Sequence, residues 1–212
     1  REQAEKLVCE LRKIGIKAES FTADIGDLSE VLTMRDAIFS RMGRPDIVVD
    51  AAVIQYQPWK PVLEQSIEDY EGQFRSCVLH NVNMTKAFLP AMKEKGWGRF
   101  IGINTECAMQ CYPTQSAYAA AKRGMDGVLR VLAKEVGGFG ITVNQVAPGW
   151  TISERWRKDP GDDRAYASKV PLKRRGTDQE IANAVLFLAS DLADYITGVY
   201  LPVCGGNVMP CI

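Results

Sequence analysis

The chain has 212 residues, 46% of them apolar and 25% charged, with 18 Gly and 10 Pro; that suits one domain with a sizeable core and excludes a disordered or fibrous protein. Its 26 basic residues cancel its 26 acidic ones, so neither nucleic acid nor an anionic membrane is expected as a partner. The longest apolar run, 184–189, is far short of the roughly 20 residues a membrane helix needs, and six irregularly spaced cysteines without a signal peptide suit a reducing cytoplasm.

In chain order, Leu7, Val8, Leu11 and Ile14 recur at helical spacing up to Gly15. Residues 19–23 read as a strand stopping at Asp24, and 31–42 as a second helix closed by Gly43. A short apolar strand at 46–49 precedes a long helical stretch from about Ser66 to Lys95, where Ser66 and Asp69 have the spacing of a capping box. Then come a strand at 99–104, a helix at about 115–136, a strand at 141–147 and the breaker Pro148-Gly149. Thr177 and Glu180 form a second capping box opening a helix that ends near Ser190, and 199–203 supplies the last strand. Strands separated by helices imply parallel pairing, hence an α/β sheet covered on both faces. Ligands bind beyond the carboxyl ends of such strands, where Asp24, Asp50, Thr105 and Pro148-Gly149 all fall.

Tyr118-Ala119-Ala120-Ala121-Lys122 puts a phenol and an ammonium four residues apart on one helix face. The pair alone is weak, but its surroundings are ordered. Thr105 ends a strand thirteen residues upstream, Pro148-Gly149 follows Val-Asn-Gln-Val-Ala downstream, and Val170-Pro171-Leu172 leads to Glu180-Ile181-Ala182 and Phe187-Leu188-Ala189-Ser190. This set resembles the short-chain dehydrogenase/reductase family over nearly the whole chain, especially its 3-oxoacyl carrier-protein reductases and sugar-alcohol dehydrogenases.

The resemblance implies a single Rossmann-type, doubly wound parallel sheet over residues 1–212, with a substrate lid at about 150–175. It also implies NAD or NADP as cofactor, a small carbonyl or alcohol substrate, and a homo-oligomer, either dimer or tetramer. The implied catalytic residues are Tyr118 as general acid-base, Lys122 easing its ionisation, and Thr105 polarising the substrate oxygen in place of the family's serine. The implied cofactor contacts are Asp24 and Ile25 at the adenine, then Asp50, Ala51 and Ala52. Tyr118 and Lys122 would face the nicotinamide ribose, and Pro148, Gly149, Thr151 and Ser153 the nicotinamide.

Several positions depart from the family pattern. Its Asn-Asn-Ala-Gly turn reads Asp50-Ala51-Ala52-Val53 here. Its relay asparagine aligns with Cys77, so the relay is broken or rerouted, with Asn81 one helical turn later as the replacement to test. Cys204 stands where Asp is common. The family's glycine-rich pyrophosphate loop and first two strands have no counterpart, so the sheet is expected without them, and a further segment of roughly 30–45 residues is expected upstream of Arg1. A catalytically silent protein that keeps the fold for binding or assembly is the rival reading.

Trp150, Arg155, Trp156, Arg157 and Lys158 suit a lid over a bulky or anionic substrate, or a solvated loop. Cys77, His80, Cys107 and Cys111 are zinc-compatible residue types, but no Cys-x-x-Cys pair occurs among them, so no metal is expected. His80, the only histidine, has no nucleophile elbow to serve.

Overall fold

The computed structural model describes residues 2–54, 58–152 and 164–209. Its sheet has four parallel strands, β1 (Ile47–Asp50), β2 (Gly98–Ile103), β3 (Ile141–Pro148) and β4 (Tyr200–Val203), neighbours in space as in sequence. Parallel neighbours cannot be joined by a tight turn, so each connection carries helix. The described helices are α1 (Glu2–Lys13), α2 (Leu28–Arg41), α3 (Ile67–Phe74), α4 (His80–Lys95), α5 (Cys107–Gln110), α6 (Ser116–Val136), α7 (Arg164–Lys169) and α8 (Asp178–Ala189).

Both sheet faces are covered, as a doubly wound fold requires. Phe100 packs on one side with Val48, Val143, Phe88, Met92, Met125 and Leu129, joining the strands to α2, α4 and α6. Its neighbour Ile101 points the other way, with Ile103, Val146, Val185 and Leu188, against α8. Pairing of Asp50 with Gly102 and of Pro148 with Val203 brings the carboxyl ends of all four strands to one edge.

The capping signals act as their chemistry allows. Thr177 and Glu180 form a reciprocal box at the start of α8. Ser66 accepts the Asp69 N–H at 3.3 Å, but the Asp69 carboxylate meets the Ser66 hydroxyl at 2.7 Å instead of the cap's backbone. Aspartate is one methylene shorter than the glutamate that normally closes the box. The long helical stretch contains a π-helical turn, Arg75–Leu79, between α3 and α4, and it holds Cys77.

One expected element differs: residues 19–23 are irregular chain, not strand. A strand exists only where a neighbour takes its N–H and C=O groups, and no described strand lies beside this segment. Side chains of the flanking helices hold it instead. Arg41 bonds Glu19 at 2.6 Å and covers the Phe21 ring, and Ser20 donates to Glu5 at 2.7 Å.

Candidate active site

Tyr118 and Lys122 lie one turn apart on the buried face of α6, 7% and 3% exposed. A polar network within an otherwise apolar layer sets that face on the sheet. Asn104, just past β2, donates to the Lys122 carbonyl at 3.1 Å and to Gln145 at 2.7 Å, and accepts the Thr105 N–H at 2.9 Å. Gln145 in turn donates to Asp126 at 2.8 Å. A Cβ on Gly102 would stand 2.5 Å from the Met125 methyl and 2.7 Å from Leu129 Cδ1, so α6 rests directly on β2.

Tyr118 packs with Cys77, Ala117 and Ala121, with Tyr70 and Cys107 at the margin. The Tyr70 hydroxyl meets Ser116 at 2.6 Å, tying α3 to the start of α6. Lys122 Nζ donates to the Ile103 carbonyl at 2.7 Å and approaches Met125 Sδ at 3.6 Å. Burial pulls the Lys122 ammonium below the ordinary lysine range, with Cys77 and Asp50 opposing that shift. Burial likewise pushes the Cys77 thiol up, opposed by Lys122.

Thr105 follows β2, and its hydroxyl accepts the Cys107 N–H at 3.2 Å. The Tyr200 hydroxyl donates to the Thr105 carbonyl, so β4 also braces this position. Cys107 links it to the packing around Tyr118. Lys122 Nζ and Thr105 thus both lie at the carboxyl end of β2, and Tyr118 packs one turn before Lys122 on α6.

Asp50 turns inward. Its Oδ1 meets His80 Nε2 at 3.0 Å, both side chains 2% exposed, while Oδ2 has no partner among the described residues. Asn81 also points inward: its Nδ2 donates to the Cys77 carbonyl at 2.9 Å and lies 2.9 Å from His80 Nε2, and its Oδ1 is unpartnered among the described residues. His80 therefore secures the end of β1, a role with no signal in the sequence beyond its helical spacing.

A cavity of about 320 Å³ opens beyond β1, lined by Asp24, Ile25, Gly26, Ala52, Val53, Ile54 and His80 among others. Asp24 accepts the Gly26 N–H at 2.8 Å, and Arg75 stands 3.4 Å from its other oxygen. Asn83 fixes the Ile25 carbonyl at 3.0 Å. Ala51 is exposed beside this cavity. The cavity's position at the strand ends, its apolar wall from 52 to 54 and the Asp24 carboxylate at its rim fit the adenosine half of a dinucleotide.

On the other side of the sheet edge, the turn after β3 is held at several backbone atoms. Gly149 N–H donates to the Val203 carbonyl at 3.0 Å. Arg175, 2% exposed, donates to the Trp150 carbonyl at 3.3 Å and the Thr151 carbonyl at 2.8 Å, with its guanidinium 4.2 Å from the Trp150 ring centroid. Pro148, Gly149 and Thr151 thus form one rigid edge, while Ser153, Arg155, Trp156, Arg157 and Lys158 lie outside the described residues. Arg175 is buried although its neighbours Lys173 and Arg174 are exposed. Cys204 organises the tail: its thiol accepts the Val208 N–H at 3.4 Å.

A cavity at the strand ends, a tyrosine and a lysine buried on one helix and a hydroxyl just past β2 are the arrangement expected of an oxidoreductase site of the short-chain type. A family model described as enoyl-(acyl carrier protein) reductase matches residues 1–207, and the chain belongs to the short-chain dehydrogenase/reductase family of nicotinamide-dependent enzymes. It is similar to 3-oxoacyl-[acyl-carrier-protein] reductase FabG of Pseudomonas aeruginosa, 37% identical over 97% of this chain and 83% of that protein. It is also similar to the Escherichia coli enzyme of that name, 36% identical over 92% of this chain and 80% of the other. Among solved structures, a 7α-hydroxysteroid dehydrogenase complexed with NADH and 7-oxo glycochenodeoxycholic acid superposes with a TM-score of 0.89 at 26% identity, covering 97% of this chain and 80% of that one.

Proposed function

We propose that the protein interconverts a ketone and a secondary alcohol, with NAD or NADP as the redox partner. The observation that carries this reading is the burial of Tyr118 and Lys122 together on α6, at the end of the strand that presents Thr105. Bound dinucleotide supplies or accepts the hydride. Its adenosine end would rest on Asp24, Ile25, Ala51 and Ala52, and its nicotinamide end on Pro148, Gly149, Thr151 and Ser153, with Lys122 at the ribose. Tyr118 gives its phenolic proton to the substrate oxygen in reduction and takes it back in oxidation. Thr105 donates to the same oxygen as charge gathers there, which stabilises the transition state more than the ground state. The lid expected at about 150–175 falls partly on residues 153–163, outside the described residues.

The 3-oxoacyl reductase relatives and the oxo-steroid neighbour both have names that describe a ketone, which supports that substrate class. Replacing Tyr118 with Phe is expected to lower turnover at least 100-fold, the scale of a lost general acid, while nucleotide binding measured by titration persists. A substrate screen with both cofactors in which Y118F equals wild type would overturn the assignment. Cys77 at the relay position favours the second reading, a silent binding protein, which has no turnover for Y118F to lose. A homo-oligomer is part of the proposal: Phe74 and Leu79, 48% and 41% exposed, line a groove of about 550 Å³ between α3 and α6 that a second copy would cover.

A further inference from the structure

Glu106 is a carboxylate only 3% exposed, directly after Thr105. A buried carboxylate is costly unless hydrogen-bonded, so its partners are informative. Its Oε1 accepts the Tyr166 hydroxyl at 2.8 Å, and its Oε2 accepts the Asn207 amide at 3.0 Å. The Tyr166 hydroxyl itself accepts the Trp150 N–H at 2.8 Å, and the Glu106 N–H donates to the Pro148 carbonyl at 2.9 Å. Glycine at 149 makes this approach possible, because a Cβ there would stand 2.6 Å from the Tyr166 oxygen. The Tyr166 and Trp150 rings meet edge to face, centroids 5.4 Å apart at 85°. Four segments therefore close on one carboxylate: the chain after β2, the turn after β3, α7 and the tail after β4.

We propose that Glu106 and Tyr166 are positioning residues that hold the 148–151 turn in its dinucleotide-binding shape. Glu106 fixes the Tyr166 hydroxyl, the hydroxyl fixes the Trp150 backbone, and neither side chain needs to touch the reacting atoms. A carboxylate suits this position because each of its oxygens accepts a donor arriving from a different part of the chain. The proposal rests on reading that turn as part of the cofactor site.

The test is titration of the full chain with NADH and with NADPH, together with steady-state kinetics on a ketone substrate, for wild type, Tyr166→Phe, Glu106→Ala and Glu106→Gln. Tyr166→Phe strands both the Trp150 N–H and a Glu106 oxygen, and is expected to weaken nucleotide binding about tenfold. The KM for nucleotide should rise by the same factor, with kcat changed less than about threefold. Glu106→Ala should weaken binding at least as much. Glu106→Gln should recover it to within about threefold, because its amide oxygen still accepts from Tyr166 while Asn207 turns its own oxygen to the new N–H. Wild-type affinity in Tyr166→Phe would overturn the proposal and leave the site reading intact. Wild type that binds neither nucleotide would overturn that reading, and the proposal with it. Should Glu106→Ala fail to fold, Tyr166→Phe removes a single oxygen from a half-buried ring and decides the matter alone.

Discussion

Lys122 shows the conflict between stability and chemistry in a single side chain. Its ammonium is buried against the Ile103 carbonyl and the Met125 thioether, and burial already favours loss of its proton. An apolar replacement of similar length removes the desolvation cost and keeps the stem's packing. Lys122→Met is therefore expected to stabilise the fold by about 1–3 kcal/mol, raising the unfolding temperature by several degrees while turnover falls at least 100-fold. Calorimetry beside a rate assay checks both arms, and a lower unfolding temperature would show that the ammonium is better solvated than its contacts indicate. That Tyr118 and Lys122 share a helix face and that Thr105 follows a strand end was readable in the sequence, because a fixed spacing and a strand boundary carry it. Glu106, Tyr166, Arg175 and Asn207 were not readable, since their partners lie up to 101 residues apart and meet only once the sheet has formed.

Element boundaries followed local chemistry wherever one was written into the chain: the Asp27, Ser66 and Thr177 caps open α2, α3 and α8, and Gly96 in the left-handed region closes α4. Two features escaped such reading. The π-helical turn at Arg75–Leu79 keeps the helical spacing of its apolar residues, so periodicity does not announce it. Residues 19–23 have a strand-like composition, yet strand pairing depends on a neighbour that composition cannot report. The contact between β2 and α6 yields a direct prediction. Gly102→Ala places a methyl group against Met125 and Leu129 within a closed core, and is expected to destabilise by about 1–3 kcal/mol. Denaturant unfolding measures this, and an unchanged midpoint would mean that α6 can lift away from the strand freely.

Over the whole molecule, the larger groove is not at the strand ends. It runs along the flank formed by Tyr70, Phe74, Leu79, Ala117, Ala120 and Ala121, whose exposed area is almost entirely apolar. This flank is continuous with the packing around Tyr118, because Ala117 and Ala121 also lie beside it. If the proposed homo-oligomer forms through this groove, Leu79→Glu is expected to shift it towards monomer in sedimentation velocity, since a carboxylate at that place resists burial. An unchanged sedimentation coefficient would overturn the proposed contact at this groove. No described helix is long and apolar enough to cross a membrane.

The order of the strands in space is their order in the chain. Each of β2, β3 and β4 therefore finds its neighbour already made, so the described sheet can grow outward by templated addition as synthesis proceeds. Asn207 emerges near the end of that sequence and supplies the final hydrogen bond to Glu106. A released chain truncated just before it would retain all four described strands while Glu106 lost its hydrogen bond from Asn207.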